Sequence, residues 1–437
     1  MTQNKERALL IDIVDLGVSP TEYNLRLEEL DSLVKTYGGV SVLKAYQKRS
    51  KPAYQTYVGT GKVDDLFKEL NGGENIDLVI VNNILKPKQI YNLEEHLLEL
   101  ETARLKEAER NETPKKIKVW DRVDLILKIF DKHATTAEAK LQIELASIKH
   151  MGPRIFGMGM ELSRQAGGIG TVGIGETNTE IMKRHLQKRT KLVEEKIKNH
   201  GDIQRRQRET RRERKQKTVA LAGYTNAGKS TLIKALTKKK DVYIADELFA
   251  TLDSKVGELF IPRYSNRVEN CSDARHASHE DAELTKTSMS SPSDEHNTAA
   301  DNLRHGSVMI ADTIGFIQDL PPSLIQAFKT TLAEIVDADL ILHVIDINDP
   351  DIHLKIKVVE EILDELLDGK DTPKIYVFNK LDLLSSRPWA EDDKQNYINS
   401  LLERYVQYNP QVVSALDSTG LDELINIIAK LTLPSAQ

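Results

Sequence analysis

"GYTNAGKST", residues 223 to 231, sets Gly-x-x-x-x-Gly-Lys-Ser between an apolar run, "TVALA", and a segment with helical apolar spacing, "LIKAL". A loop of this kind joins a buried strand to a helix, and that junction decides the fold of the region around it. The glycines allow backbone N–H groups to wrap an anion, and the helix N-terminus adds partial positive charge. Lys229 brings a point charge suited to the β- and γ-phosphates of a nucleotide, and Ser230 brings a hydroxyl suited to Mg2+. The loop reads as a phosphate cradle. By itself it does not distinguish ATP from GTP.

The base is addressed further on. From Thr218 onward, "TVALAG", "SVMIADT", "LILHVIDI" and "KIYVFNK" are near-continuous apolar runs, as expected of parallel strands covered on both faces. "NKLD", Asn379 to Asp382, follows the last of them. A carboxylate such as Asp382 can accept from both N1–H and the 2-amino group of guanine, a donor pair that adenine lacks, and a site built around it rejects the wrong base. "DTIG", Asp312 to Gly315, ends the strand "SVMIADT", with Asp312 suited to Mg2+ and the Gly315 N–H to a γ-phosphate. Thr251, in "FATLD", is either a hydroxyl that closes over Mg2+ or an ordinary surface residue. "VSAL", with Ser414 to Leu416, offers backbone N–H groups to a guanine carbonyl. Asn226 either lends its side-chain oxygen to a monovalent cation beside the phosphates or braces the loop by an Asx-type hydrogen bond.

Upstream, "RALLIDIV", "VSVLKAY" and "IDLVIV" read as short strands. Between them, "SPTEYNLRLEELDSLVKTYGG" and "VDDLFKELNGG" read as helices ending at glycines. The alternation predicts a small, mostly parallel α/β domain over about residues 1–120. "ETARLKEAERNETPKK" includes a charged surface loop. "TTAEAKLQIELASIKHMGPRI" predicts a helix stopped by Gly152-Pro153, and the glycine-rich run from Gly157 to Glu180 predicts a flexible loop. Residues 176 to about 215 predict a helical hairpin with its turn at Asn199–Asp202. The stretch Lys183–Lys217 carries fifteen Lys/Arg against five Asp/Glu. It is either a phosphate-binding surface or a solvated arm with intrahelical charge pairs. The polar stretch from Arg267 to His305 predicts a disordered or mobile insertion in a surface hairpin.

At 437 residues, with 40% hydrophobic and 29% charged residues, the chain is expected to form two or three soluble domains. One cysteine, Cys271, excludes an intramolecular disulfide framework and a cysteine-rich zinc site. No apolar run approaches the roughly 18–20 residues that span a bilayer, and no signal-cleavage pattern opens the chain. A cytoplasmic monomer is the expectation.

Taken together, the phosphate loop, "FATLD", "DTIGF", "NKLD" and "VSAL" resemble a translation-factor-class GTPase domain. "GGIGTVGIGET", "GYTNAGKSTL", "LFATLD", "DTIGFIQDLP", and upstream "YVGTGKVDDL" and "DRVDLILKIFDKHATTAEAKLQIELA", resemble the HflX family. The resemblance covers nearly the whole chain except 267–305 and the charged stretch near 101–116. It implies an α/β fold in three parts: an N-terminal HflX-type domain at 1–165, a Gly-rich loop and basic helical arm at 166–217, and a P-loop GTPase domain at 218–437.

The resemblance further implies a nucleotide site formed by Gly223, Tyr224, Thr225, Asn226, Ala227, Gly228, Lys229, Ser230 and Thr231. Phe249, Thr251, Asp253, Asp312, Thr313, Ile314 and Gly315 join it from the switch regions, and Asn379, Lys380, Leu381, Asp382, Ser414, Ala415 and Leu416 from the base pocket. Lys229, Thr251 and Gly315 are the expected catalytic group, and Ser230, Thr251 and Asp312 the expected Mg2+ ligands. GTP is the implied substrate, with K+ as a further cation at Asn226. The implied partner is the large ribosomal subunit and its RNA, and the implied task is splitting or rescue of stalled ribosomes. A regulatory GTP-binding module with a protein partner and a nucleotide-dependent RNA-remodelling enzyme are the alternatives. Phe316 stands where many related GTPases carry a water-orienting glutamine.

Overall fold

The computed structural model describes residues 5–70, 76–110, 112–165, 172–214, 216–237, 256–261, 306–318, 324–325, 329–385 and 389–433, with backbone only over 153–165, 172–179 and 329–331 and at 182, 204, 207, 212, 306 and 385. Cys271, the whole of the 267–305 insertion and the glycines at 166–171 lie outside them.

The first sheet joins β1 (Arg7–Val14), β2 (Val40–Lys48), β3 (Leu78–Val81) and β4 (Lys118–Asp121) in the order β2-β1-β3-β4. All its neighbours are parallel. Parallel neighbours need crossovers, supplied by α1 (Pro20–Tyr37), α2 (Thr60–Glu69) and α3 (Pro87–Glu107). The ends of α1 are written in its sequence. The Ser19 side chain accepts from the Glu22 N–H, Pro20 opens the first turn, and Gly38 caps the helix at φ +100°. The helix α3 runs on through Glu107, so the charged stretch from Glu101 begins as helix and only then leaves it.

After β4, α4 (Arg122–His133) starts at once, capped by the Asp121 carboxylate, which accepts from the Asp124 N–H at 2.9 Å and the Leu85 N–H at 3.2 Å. His150 Nε2 lies 3.1 Å from Asp121 Oδ1 and 3.5 Å from Asp124 Oδ1. Three potential metal ligands thus gather here, but with both aspartates engaged by main-chain N–H groups the cluster reads as a helix cap.

Three expectations for the middle of the chain fail. The helix α5 (Ala137–Gln165) continues through Gly152-Pro153, and α6 (Val172–Glu213) is one helix of 42 residues with no break at Asn199–Asp202. A proline inside a helix removes one hydrogen bond and a glycine costs about 1 kcal/mol, penalties that packing of α5 along α6 can outweigh. Charge pairs four residues apart, Arg184–Glu180 and Arg205–Glu209, add modest support to α6. The stretch 157–180, expected to be a loop, is helical over 157–165 and 172–180, and no turn occurs at residue 200.

The second sheet has the order β10-β9-β8-β5-β7-β6, built from β5 (Lys217–Gly223), β6 (Val256–Ile261), β7 (Gly306–Ala311), β8 (Leu340–Asp346), β9 (Lys374–Asn379) and β10 (Gln411–Val412). Only the β6/β7 pair is antiparallel. One face packs on α7 (Lys229–Thr237) and the closing helix Leu421–Thr432. The other carries α8 (Lys329–Val336) and α9 (Ile352–Leu367). This second apolar layer does not stop at the sheet. Leu27, Leu30, Ile126 and Phe130 of the first domain share one buried cluster with Ala222, Tyr224, Phe316, Ile341 and Val359.

Candidate functional site

The loop after β5 is shaped by close approaches. At Gly223, φ is +154° and a Cβ would stand 2.2 Å from the Val344 carbonyl oxygen; at Gly228, φ is +90° and a Cβ would meet Asn379 Nδ2 at 2.3 Å. No larger residue fits either position. Asn226 takes φ +62°, the left-handed region that asparagine tolerates. Its side chain is exposed and has no hydrogen-bond partner among the described residues, so the bracing bond of the Asx reading is not seen.

Lys229 opens α7 and is 5% exposed; its Nζ donates to the carbonyls of Gly223 at 3.0 Å and Tyr224 at 2.9 Å. Burial pushes its ammonium down to about 8, against the raising pull of Asp312. The Ser230 hydroxyl donates to Asp312 Oδ2 at 3.0 Å, which joins the first turn of α7 to the end of β7. Thr313 turns away and donates to the Leu221 carbonyl. A Cβ on Gly315 would stand 2.9 Å from Thr225 Cα and 3.0 Å from Lys229 Nζ, so only glycine lets the two loops approach this closely. Phe316 is buried, and its main chain bridges back to the phosphate loop: its N–H donates to Gly223 O at 3.1 Å and its carbonyl accepts from Thr225 N–H at 2.8 Å.

At the far side, Asn379 Nδ2 donates to the Ala227 carbonyl at 3.0 Å and its Oδ1 accepts from Ala415 N–H at 3.0 Å. One buried amide thus ties the phosphate loop to the "VSAL" loop. Asp382 Oδ1 accepts from the Ser414 hydroxyl at 2.8 Å, which fixes the carboxylate's direction. Lys380 pairs with Asp346 at 2.9 Å, Leu381 N–H donates to Val413 O, and Leu416 is 73% exposed at the rim. Every expected residue that is described gathers at the C-terminal end of this sheet, where open α/β sheets bind ligands. Phe249, Thr251 and Asp253 lie outside the described residues.

Residues without a motif also reach the site. A cavity of about 320 Å³ on the outer side of the loop is lined by Tyr224, Thr225 and Asn226 together with Leu25, Glu28 and Glu29 of α1. The basic arm divides into two groups. Arg208 Nε lies 2.9 Å from Asp337 Oδ2, and Arg211 Nη2 lies 3.0 Å from Glu334 Oε1, so these two cations are held by α8 and its end. Arg206 and Arg214 are exposed.

The sequence matches the families described as GTP-binding GTPase N-terminal over residues 24–131, GTP-binding GTPase Middle Region over 133–215, and 50S ribosome-binding GTPase over 218–380. It is 37% identical over 430 residues to the GTPase HflX of Caldanaerobacter subterraneus subsp. tengcongensis, covering 98% of this chain and 81% of that one. It is 34% identical over 376 residues to the GTPase HflX of Escherichia coli, covering 85% and 73%. A GTP-binding protein from Sulfolobus solfataricus, solved in complex with GDP, aligns over 98% of both chains at 21% identity with a TM-score of 0.43, a likeness too weak to carry weight. No helix among the described residues is long and apolar enough to cross a membrane. Both the extent and the identity of the sequence matches place the chain in the HflX family of GTPases, enzymes that bind and hydrolyse GTP.

Proposed function

We propose that GTP lies across the ends of β5, β7 and β9, with its phosphates on residues 223–231 and its guanine on Asp382. The carrying observation is the Asn379 amide, which holds the phosphate loop and the Ser414–Leu416 loop in fixed register at 3.0 Å to each. Lys229 is the charge on the β- and γ-phosphates, and the Gly315 N–H reports the γ-phosphate. The pairing of a hydroxyl and a carboxylate at Ser230 and Asp312 is a hard oxygen donor set suited to Mg2+, and Thr251 is the proposed third ligand. That ion would supply charge neutralisation at the β- and γ-phosphates. The exposed, left-handed Asn226 is the proposed contact of a K+ ion.

The partner is the large ribosomal subunit and its RNA, and the task is splitting or rescue of stalled ribosomes. Support comes from the 50S ribosome-binding GTPase family matched over 218–380 and from the cationic face left on α6 by Arg206 and Arg214. The chain divides functionally at about 165 and 217 into the three parts read from its sequence, and acts in the cytoplasm. Co-sedimentation with purified ribosomal subunits in a non-hydrolysable GTP analogue and in GDP tests the proposal. Binding to the large subunit with the analogue, weakened in GDP, is expected. Binding to neither subunit in either nucleotide would favour a regulatory module with a protein partner.

A further inference from the structure

Tyr224 is the second residue of the phosphate loop, and its hydroxyl points out of the GTPase domain. It donates to Glu29 Oε1 on α1 and accepts from the Gln318 N–H at 2.8 Å. The other oxygen of Glu29 lies 2.6 Å from Arg122 Nη2, which also donates to the Gln318 carbonyl at 2.9 Å. Arg122 is in turn fixed by Asn82, whose Oδ1 accepts from Nη1 at 2.7 Å. Both main-chain groups of Gln318 are therefore held by a tyrosine and an arginine that share one carboxylate. Arg122 and Tyr224 are buried and Glu29 is half-buried, so the bonds act in a poorly screened setting. Burial, followed by the Glu29 carboxylate, raises the Tyr224 phenol and keeps it protonated as the donor.

Gln318 is three residues beyond Gly315, and the Phe316 main chain between them is tied to Gly223 and Thr225. The segment is thus pinned at one point by the phosphate loop and at a second by the N-terminal domain. We propose that Glu29 and Arg122 are positioning residues for GTP hydrolysis, acting through the Tyr224 hydroxyl and the Gln318 backbone to hold Gly315 and Phe316 against the phosphates. The proposal rests on the reading that Lys229 and Gly315 face the γ-phosphate. Phe316 offers no polar group to orient water, so placement of this backbone carries more of the rate; a donor already in place needs no ordering in the transition state. Simple glue between two domains would use the same bonds, and the two roles separate kinetically.

Steady-state hydrolysis and thermal unfolding of the full chain are compared for wild type, Tyr224→Phe, Glu29→Gln and Arg122→Lys. A positioning role lowers kcat about tenfold or more in Tyr224→Phe, the order expected for a lost hydrogen bond to a charged group, while KM for GTP changes by less than about threefold. Tyr224→Phe combined with Glu29→Gln falls little further than Tyr224→Phe alone, because both break one chain of bonds. Unchanged kcat in these variants, whether or not Tm falls, overturns the proposal and leaves the network as domain glue. Should Tyr224→Phe fail to fold, Glu29→Gln and Arg122→Lys carry the same test. Lys229→Ala is the control for the underlying reading: wild-type GTP affinity and rate there would remove the phosphate site itself. An inactive Lys229→Ala beside a fully active Tyr224→Phe would remove only the positioning role.

Discussion

Arg211 on α6 grips Glu334 on α8 with both arms of its guanidinium, Nη2 to Oε1 at 3.0 Å and Nη1 to Oε2 at 3.3 Å. Glu334 is 6% exposed, and Arg208 stands beside it with its Nη1 3.7 Å from Oε1. A fork-to-carboxylate pair of this kind, shielded from solvent, joins the long arm to the helix that follows the "DTIG" segment.

The pair makes the arm's arginines inequivalent. Arg211→Ala leaves Glu334 buried and under-compensated, and should destabilise the chain by about 2–4 kcal/mol with a clear fall in Tm. Arg206→Glu with Arg214→Glu touches exposed positions, so Tm should hold. If the arm meets ribosomal RNA, affinity should fall and its salt dependence flatten. Calorimetry and salt-titrated binding of both variants check the division, which fails if Arg211→Ala melts like wild type.

The motifs were legible because each has a local chemical reason: "GYTNAGKST", "DTIG" and "NKLD" sit on strand ends, and the structure brings them within one site. The stop of α1 at Gly38 was legible on the same ground. What the sequence hid depends on packing. Gly152-Pro153 carries a strong stop signal that tertiary contact overrides, and Gly201 is too weak a breaker within a run of Lys, Arg, Glu and Gln. The strand β4, KVWD, is no shorter than the legible LVIV of β3, but charged residues at both ends leave it no apolar run. Nothing in "LEEL" sets Glu29 apart from Glu28, because its role arises only where α1 meets Tyr224.

Acid should weaken the GTPase domain through one buried pair. Burial pushes the Glu360 carboxyl up, but hydrogen bonds from His343 and Lys374 outweigh it and hold it at about 2. His343 is itself pushed below its ordinary value by burial, so it is the neutral ring that donates Nδ1–H to Glu360 at 3.0 Å. A depressed carboxyl contributes stability that is present above the unfolded value near 4.5 and lost as pH falls towards 2. Glu360→Gln should therefore cost about 1–2 kcal/mol at pH 7, allowing for partial exposure, and almost nothing near pH 2. Denaturant melts of both proteins across pH 2–7 check this; a gap that stays constant with pH would count against it.

Ile261 at the end of β6 pairs with Gly306 at the start of β7, so the polar stretch between them leaves and rejoins the sheet at adjacent positions. Removing residues 270–302 shortens a connection whose closure cost varies slowly with length. GTP affinity should stay within about threefold of wild type, and a titration of the folded deletion variant measures it. A larger loss would assign the stretch a part in nucleotide binding.

The cation reading of Asn226 is open to a direct comparison. GTP hydrolysis in matched potassium and sodium buffers should be faster in potassium by about tenfold or more for wild type, with the difference abolished in Asn226→Ala, since positive charge at the transition state is worth orders of magnitude. Equal wild-type rates in the two salts would sink it.

The central claim is that Asp382, aimed by the Ser414 hydroxyl at 2.8 Å, reads the guanine base of the GTP held by residues 223–231. Replacing its carboxylate by an amide changes one acceptor into a donor, which opposes guanine's 2-amino group and suits the 2-carbonyl of xanthine. The deciding measurement is a direct binding titration of wild type and Asp382→Asn with GTP and xanthosine triphosphate. The account predicts that the substitution weakens GTP by about a hundredfold or more and reverses the preference in favour of xanthosine triphosphate. Unchanged GTP affinity in a folded Asp382→Asn protein would contradict it.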